Sequence, residues 1–239
     1  MPIEIDTSRI RWGLRKKEFQ FVVYYDEFPK YLACHRRYCP DTLQVEARGT
    51  ELLEEIAFGS ASNAIAVDFF GKVCDWGGNQ HNVKEKVLSQ LDSRSILHQI
   101  ERALVSLSGV TTQSSRTLRD AGLETAASSM MELDGLGISY GTKVLRMLRP
   151  DLCGVMDSTV QMFGDFASTT GLSKQESEKI SQANFSWYSH QCLQIAGFVN
   201  TASISPPTGA NEWRVGDVDA VIFTAHMLGL TQSEKRWVL

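Results

Sequence analysis

Apolar residues recur with the period of an α-helix through most of this chain from Gly49 onward, and no other feature constrains the fold as strongly. We expect Ser93 to cap one helix, whose apolar stripe consists of Ile96, Leu97, Ile100, Leu104 and Leu107. An earlier helical stretch is expected to end at Trp76-Gly77-Gly78. Further helical stretches are predicted near 113–131, 140–148, 157–168, 173–198 and 214–230. The sequence therefore predicts a mostly α-helical protein.

The beginning of the chain has a different character. Residues 18–25 are rich in β-branched and aromatic side chains, a composition typical of a short strand or a packed arm. We therefore expect an N-terminal extension at residues 1–45 that contains a little strand, followed by a helical domain at 46–239. A domain of that length can bury a substantial core and can fold as two lobes with a cleft between them.

Composition argues against several classes of protein. No apolar run reaches the about 20 residues that a membrane-spanning helix needs. The N-terminus lacks the charged-then-apolar pattern of a secretion signal. We expect a cytoplasmic protein with no membrane partner, associated with the nucleoid if its source is a bacterium.

The five cysteines are widely spread and odd in number, which argues against a disulfide framework. Cys34, His35 and Cys39 bring two thiols and an imidazole close together in sequence. Zinc normally takes four ligands from tighter cysteine pairs, and no second cluster completes this set. We predict no metal and no cofactor.

The formal charge of -4 argues against a protein that coats nucleic acid without specificity. A DNA enzyme remains compatible with it, because the charge on the binding face is what matters. Among the local basic clusters, only Arg146 and Arg149 lie beside a motif that needs phosphate contacts.

That motif is a helix-hairpin-helix at Leu133–Leu148, in which Gly135-Leu136-Gly137 joins two helical stretches. Glycine tolerates a positive φ and lets another backbone approach closely. The helix that follows begins with free backbone N–H groups and a positive dipole end, which together can hold a phosphate. The predicted DNA contacts are Gly135, Gly137, Ser139, Arg146 and Arg149. The simpler interpretation is a plain turn.

Arg149-Pro150 stops the second helix, and the chain then reaches Val155-Met156-Asp157-Ser158-Thr159-Val160. Over residues 133–160 it resembles the helix-hairpin-helix–Gly/Pro-Asp superfamily of DNA glycosylases, which includes endonuclease III, and is closest to proteins with the 8-oxoguanine DNA glycosylase fold. The resemblance implies a helical glycosylase fold and a duplex DNA substrate with a flipped base, an oxidised purine being the first guess. It also implies that Asp157, a good helix N-cap in its own right, is the catalytic carboxylate.

Lysine-using members of that superfamily carry the nucleophile two residues after the second hairpin glycine, where this chain has Ser139. Lys143 stands four residues further on, and side chains at that spacing share one face of a helix. Lys143 is therefore the candidate nucleophile, and the competing interpretation is a surface lysine near DNA. A lysine amine can attack C1′ and form a Schiff base, which permits strand cleavage, whereas Asp157 acting alone would activate water.

The extruded base needs a pocket. Trp76, Phe69 and Ser139 are its predicted lining, and the loop that begins at Trp76 adds two glycines and three polar side chains. The other aromatic candidates are Trp12, Phe70, Trp187, Tyr188 and Trp213. We predict no iron–sulfur cluster of the endonuclease III type, because Cys192 is the only cysteine after Cys153.

Two alternatives stay open. In the first, the chain is a non-catalytic nucleic-acid-binding protein whose hairpin grips the backbone, and the lack of net positive charge and the displaced lysine favour it. In the second, Gly-Leu-Gly is only a turn and the helices bind another protein.

Overall fold

A computed structural model describes residues 13–14, 17–18, 27–89, 95–157, 160, 171–206 and 210–231. Two short strands, β1 (Gly13–Leu14) and β2 (Lys17–Glu18), pair antiparallel. The α-helices of the described ranges are α1 (Phe28–Tyr38), α2 (Thr42–Ala57), α3 (Asn63–Trp76), α4 (Val83–Leu88), α5 (Ile96–Ser106), α6 (Arg116–Met131), α7 (Ile138–Leu148), α8 (Lys174–Thr201) and α9 (Val215–Thr231). The prediction of a mostly helical protein is confirmed. None of these helices is both long and apolar enough to cross a membrane.

Serine hydroxyls cap several helices by accepting a backbone N–H of the first turn, as local propensity favours. Ser95 caps α5 by accepting from His98, so the cap predicted at Ser93 lies two residues too early. Ser173 and Glu176 form a capping box at the start of α8. The predicted end at Trp76-Gly77 is confirmed for α3. Most of the predicted strand at 18–25 and of the predicted helix at 157–168 lies outside the described residues.

The helix α7 lies at the centre of the packing. It contacts α2, α3, α6 and α8, and every residue from Tyr140 to Leu148 is buried. The approach of α2 is close enough that a Cβ added at Gly49 would lie 2.4 Å from the Met147 carbonyl oxygen. The helix that follows the turn at Gly135–Gly137 is therefore part of the core.

The boundary predicted between residues 45 and 46 falls inside α2. Phe28, Tyr31 and Leu32 of α1 belong to the same hydrophobic core as α7, and α1 packs along α9. Residues 28–45 are therefore part of the helical body and not of an extension, which corrects the predicted division of the chain.

Candidate functional site

The two glycines of the turn between α6 and α7 have different backbone conformations. Gly135 has a φ of +85°, in the left-handed region that favours glycine, and a Cβ there would lie 3.3 Å from the Cβ of Lys86. Gly137 is the N-cap of α7, with a φ of −81° that any residue adopts. No side chain caps α7, and a Cβ at Gly137 would meet nothing within 4 Å. The first turn of α7 thus has no side-chain cap, and the space beside Gly137 is open, two features that a helix N-terminus needs in order to hold an anion.

Lys143 lies one turn into α7 with its ammonium in a nearly enclosed position. Its Nζ donates to Ser139 Oγ at 3.3 Å, lies 4.5 Å from the centroid of the Tyr140 ring, and is 4.0 Å from Asp157 Oδ2. Its side chain is 10% exposed. The amine thus reaches the position of Ser139, and it does not point to bulk solvent.

The environment of Lys143 lowers its pKa. Burial is the main cause, because it penalises the charged ammonium, and the nearby carboxylates of Asp157 and Asp219 oppose the shift only in part. A lysine with a lowered pKa offers more neutral amine near neutral pH, which is the form that attacks carbon.

The two carboxylate oxygens of Asp157 have different partners. Its Oδ1 accepts the backbone N–H of Val160 at 2.9 Å, which is an N-cap contact, while its Oδ2 faces Lys143. The side chain is 15% exposed. One carboxylate oxygen is therefore fixed by the backbone, and the other is oriented toward the amine.

The chain leading into Asp157 has no regular secondary structure and is held by side chains from three helices. Gly154 N–H donates to Ser189 Oγ at 3.1 Å, Val155 N–H to Asp219 Oδ1 at 3.2 Å, and Met156 N–H to Thr142 Oγ1 at 3.0 Å. Asp219 also accepts from the Tyr188 hydroxyl at 2.8 Å. Burial raises the pKa of Asp219 to about 6, and its hydrogen bonds and the Arg146 charge counteract the rise.

The loop after α3 lies against Lys143. A Cβ at Gly77 would be 3.1 Å from Lys143 Cδ, and the Tyr140 hydroxyl donates to the Gly77 carbonyl while accepting from Gln80 N–H. Asn79, His81 and Asn82 all have positive φ values, which cost energy in residues other than glycine. This strained polar loop forms one wall of the site.

Trp76, which begins that loop, is half-buried and bound to the core. Its Nε1 donates to Thr42 Oγ1 at 2.9 Å, and the Arg146 guanidinium lies 5.6 Å from its ring centroid. The residues after Trp76, rather than its indole, therefore border the site.

Arg146, a predicted DNA contact, lies buried in the core. Its side chain is 2% exposed and pairs with Glu46 Oε1 at 2.6 Å, with a further bond to the Gly216 carbonyl oxygen. Its guanidinium thus faces partners on α2 and α9 within the fold. Arg149 is half-buried, donates to Asp151 and to the Val110 carbonyl oxygen, and retains partial exposure.

Phe69 does not line a pocket either, because it is completely buried in the core. The same holds for Phe70 and Tyr188, and Trp213 is almost completely buried. Trp187 is half-buried, and Trp12 lies outside the described residues. Of the predicted pocket residues, Ser139 is the one that lies at the site, beside the Lys143 amine.

Sequence reasoning missed Tyr140, Thr142, Ser189 and Asp219. Tyr140 and Thr142 lie within the motif, and the polar side chain of Thr142 on the buried stripe of α7 was the available signal. Asp219 and Ser189 come from helices distant in sequence and carried no local signal. In the described ranges, no group of three or more His, Cys, Asp or Glu side chains is arranged to hold a metal ion.

No protein-family model, curated protein or solved structure matches this chain.

Proposed function

We propose that this protein is a DNA glycosylase that removes a damaged or modified base, with an oxidised purine as the first candidate. The observation that carries the proposal is the pairing of Lys143 and Asp157, 4.0 Å apart, one turn below the uncapped N-terminus of α7. Cleavage of a base from a phosphate-bearing sugar requires three groups within one small region. These are a nucleophile, a carboxylate and a helix end that can bind an anion.

In this proposal the hairpin binds the DNA backbone. A phosphate oxygen accepts the free amides at the start of α7, where the helix dipole favours negative charge. Gly137 leaves room for that approach, and Gly135 allows the turn to pass close to Lys86. The target nucleotide must rotate out of the duplex, at a cost of a few kcal/mol, to bring its C1′ to the Lys143 amine.

The chemistry begins with a neutral Lys143 amine, which burial favours. Nζ attacks C1′, the glycosidic C–N bond breaks, and its electron pair leaves with the base, which takes up a proton. Asp157 stabilises the positive charge that develops on the sugar. Opening of the sugar ring gives a Schiff base between Nζ and C1′, and β-elimination then cleaves the strand on the 3′ side.

A shorter route uses Asp157 alone. Its carboxylate takes a proton from water, the resulting nucleophile attacks C1′, and the base is released without a covalent enzyme intermediate. The protein would then be a simple glycosylase with Lys143 as the partner that orients the carboxylate.

The second candidate is a non-catalytic helix-hairpin-helix protein that binds nucleic acid. Lys143 is enclosed, bonded to Ser139 and paired with Asp157, as in a structural ion pair. The burial of Arg146 also removes one expected phosphate contact. These features favour a hairpin that grips a backbone without chemistry.

Borohydride trapping on a panel of duplexes, each with one damaged or modified base, separates the routes. The lyase route gives a covalent protein–DNA adduct that is lost in Lys143→Gln and retained in Lys86→Gln, an exposed lysine beside the same hairpin. Water attack gives base release without an adduct, and Asp157→Asn abolishes it.

The binding-only alternative predicts duplex affinity with no base release on any member of the panel. Circular dichroism of each variant ensures that lost activity does not come from unfolding. If the wild-type protein releases no base and forms no adduct on the whole panel, the glycosylase proposal is overturned.

A further inference from the structure

Three consecutive backbone amides before Asp157 are each bonded to a side chain of a different helix. Thr142 of α7, Ser189 of α8 and Asp219 of α9 accept from Met156, Gly154 and Val155 respectively. We call these three side chains the amide clamp. Backbone amides of a connection without regular secondary structure normally bond to water or to other backbone groups. Here the side chains of the surrounding helices replace both partners.

The clamp determines where Asp157 lies. Met156 is buried, and a Cβ at Gly154 would lie 2.9 Å from Tyr188 Cε1, so the segment is packed as well as hydrogen-bonded. The N-cap contact to Val160 then fixes the Asp157 side chain itself. With its backbone held on one side and its carboxylate on the other, Asp157 has little freedom to move relative to Lys143.

Asp219 is the member of the clamp that carries a charge. It is 5% exposed and accepts from both Val155 N–H and the Tyr188 hydroxyl through the same oxygen. Hydrogen bonds to an ionised acceptor are stronger than those to a hydroxyl. Its charge also acts on Lys143, where it favours the ammonium form. Among the three members, loss of Asp219 should therefore disturb the segment most.

We propose that Asp219 is a positioning residue for the glycosylase reaction, holding the backbone of residues 154–156 so that Asp157 faces the reacting sugar. The proposal rests on the function proposed above and assigns Asp219 no contact with substrate. Displacement of a reacting group by about 1 Å can cost on the order of 100-fold in rate. Binding of the duplex at the hairpin does not depend on the clamp.

The test compares Asp219→Ala with Asp219→Asn in single-turnover base release and in duplex affinity. The alanine variant should lose on the order of 100-fold in rate while its duplex Kd stays within about twofold. The asparagine variant should recover most of the rate, because its amide oxygen accepts the same two hydrogen bonds. Asp68→Ala, which removes an exposed carboxylate of α3, is the control and should match the wild type.

Amide hydrogen exchange of residues 154–156 provides a readout that needs no DNA. Asp219→Ala should accelerate exchange at Val155, and Ser189→Ala should do so at Gly154, so the second variant carries the test if the first fails to fold. Wild-type base release that persists in a folded Asp219→Ala overturns the positioning role. So does an asparagine variant as slow as the alanine variant.

The two proposals fail in distinguishable ways. If the wild type shows slow exchange at residues 154–156 but releases no base, the clamp stands as structure, while the glycosylase function and the role of Asp219 in it are overturned. If the wild type releases base and exchange at Val155 is fast, the function stands and the clamp is overturned.

Discussion

Arg146 is a charged side chain built into the core. Its guanidinium bonds to Glu46 and to the Gly216 carbonyl oxygen, and Glu46 also accepts from Arg214, which in turn pairs with Asp217. Taking such charges out of water is expensive, and the cost is offset only while each partner is present. This network therefore joins α2, α7 and α9, and it stabilises the fold only while all of its charged partners are present.

Replacing Arg146 with alanine should destabilise the protein by about 3–5 kcal/mol, because Glu46 is left buried with only Arg214 as a partner. Urea unfolding followed by circular dichroism measures the change. Lys174→Ala is the control, since Lys174 is 89% exposed and its loss should cost less than about 0.5 kcal/mol. An Arg146→Ala protein with wild-type stability would show that the network contributes no net free energy.

At this scale the sequence identified the paired residues but not their surroundings. Asp157 was selected through the family resemblance and Lys143 by its spacing from Ser139, and the structure brings the two within 4.0 Å of each other. Arg146 was misplaced because a basic residue on a helix is usually solvated. Asp219 had no local signal, since its partner Val155 is 64 residues away in the chain.

Among the elements, the turn before α7 is the place where a substitution tests the proposed DNA-binding role most directly. Gly137 is exposed, has an ordinary φ, and faces open space, so a side chain there neither clashes nor strains the backbone. A carboxylate at the start of a helix is favourable for the fold because of the helix dipole. The same carboxylate would occupy the position proposed for a phosphate.

Gly137→Glu should therefore keep wild-type stability and weaken duplex binding by about tenfold or more, which corresponds to about 1.4 kcal/mol. Fluorescence anisotropy with a labelled duplex at fixed salt measures the affinity. The matched control is Gly197→Glu on α8, an exposed glycine whose added Cβ also meets nothing within 4 Å. Equal affinity of the Gly137→Glu variant and the wild type would argue against phosphate binding at this turn.

Helical periodicity predicted the elements from α5 onward more successfully than those at the start of the chain. The limits of α6 to α9 fall near the predicted ones, and serine side chains cap α6 and α8. The helix α1 buries a single face that includes His35, and α2 buries Glu46. The strand-like composition of residues 18–25 led to the assignment of residues 1–45 to an extension, although α1 and the start of α2 lie within that range.

For the molecule as a whole, buried titratable groups link stability to pH. Burial lowers the pKa of both His35 and His226 to about 4, below the value of about 6.5 expected in an unfolded chain. The unfolded state then binds more protons than the folded state between these values, so stability present above pH 6.5 is lost as the pH falls toward 4. Asp219, with its pKa raised to about 6, acts in the opposite direction and offsets part of the loss.

Lowering the pH from 7.5 to 5 should therefore reduce the free energy of unfolding, with His35 alone contributing about 2 kcal/mol. In His35→Gln the free energy of unfolding should fall by about 2 kcal/mol less between pH 7.5 and pH 5, whatever the stability of the variant at neutral pH. Urea titrations at both pH values measure it, and the exposed His98→Gln serves as control. A wild-type protein equally stable at both values would contradict the neutral, buried state of His35.

The burial of α7 from Tyr140 to Leu148 has a consequence for how the protein unfolds. Fluctuations that open a folded protein locally begin at fraying ends and sparsely packed loops, whereas innermost elements open only when the whole molecule unfolds. Lys143 is carried on such an innermost element, between helices on several sides. The amine and its carboxylate partner should therefore remain paired through partial opening elsewhere, so that loss of the site and global denaturation become a single cooperative event.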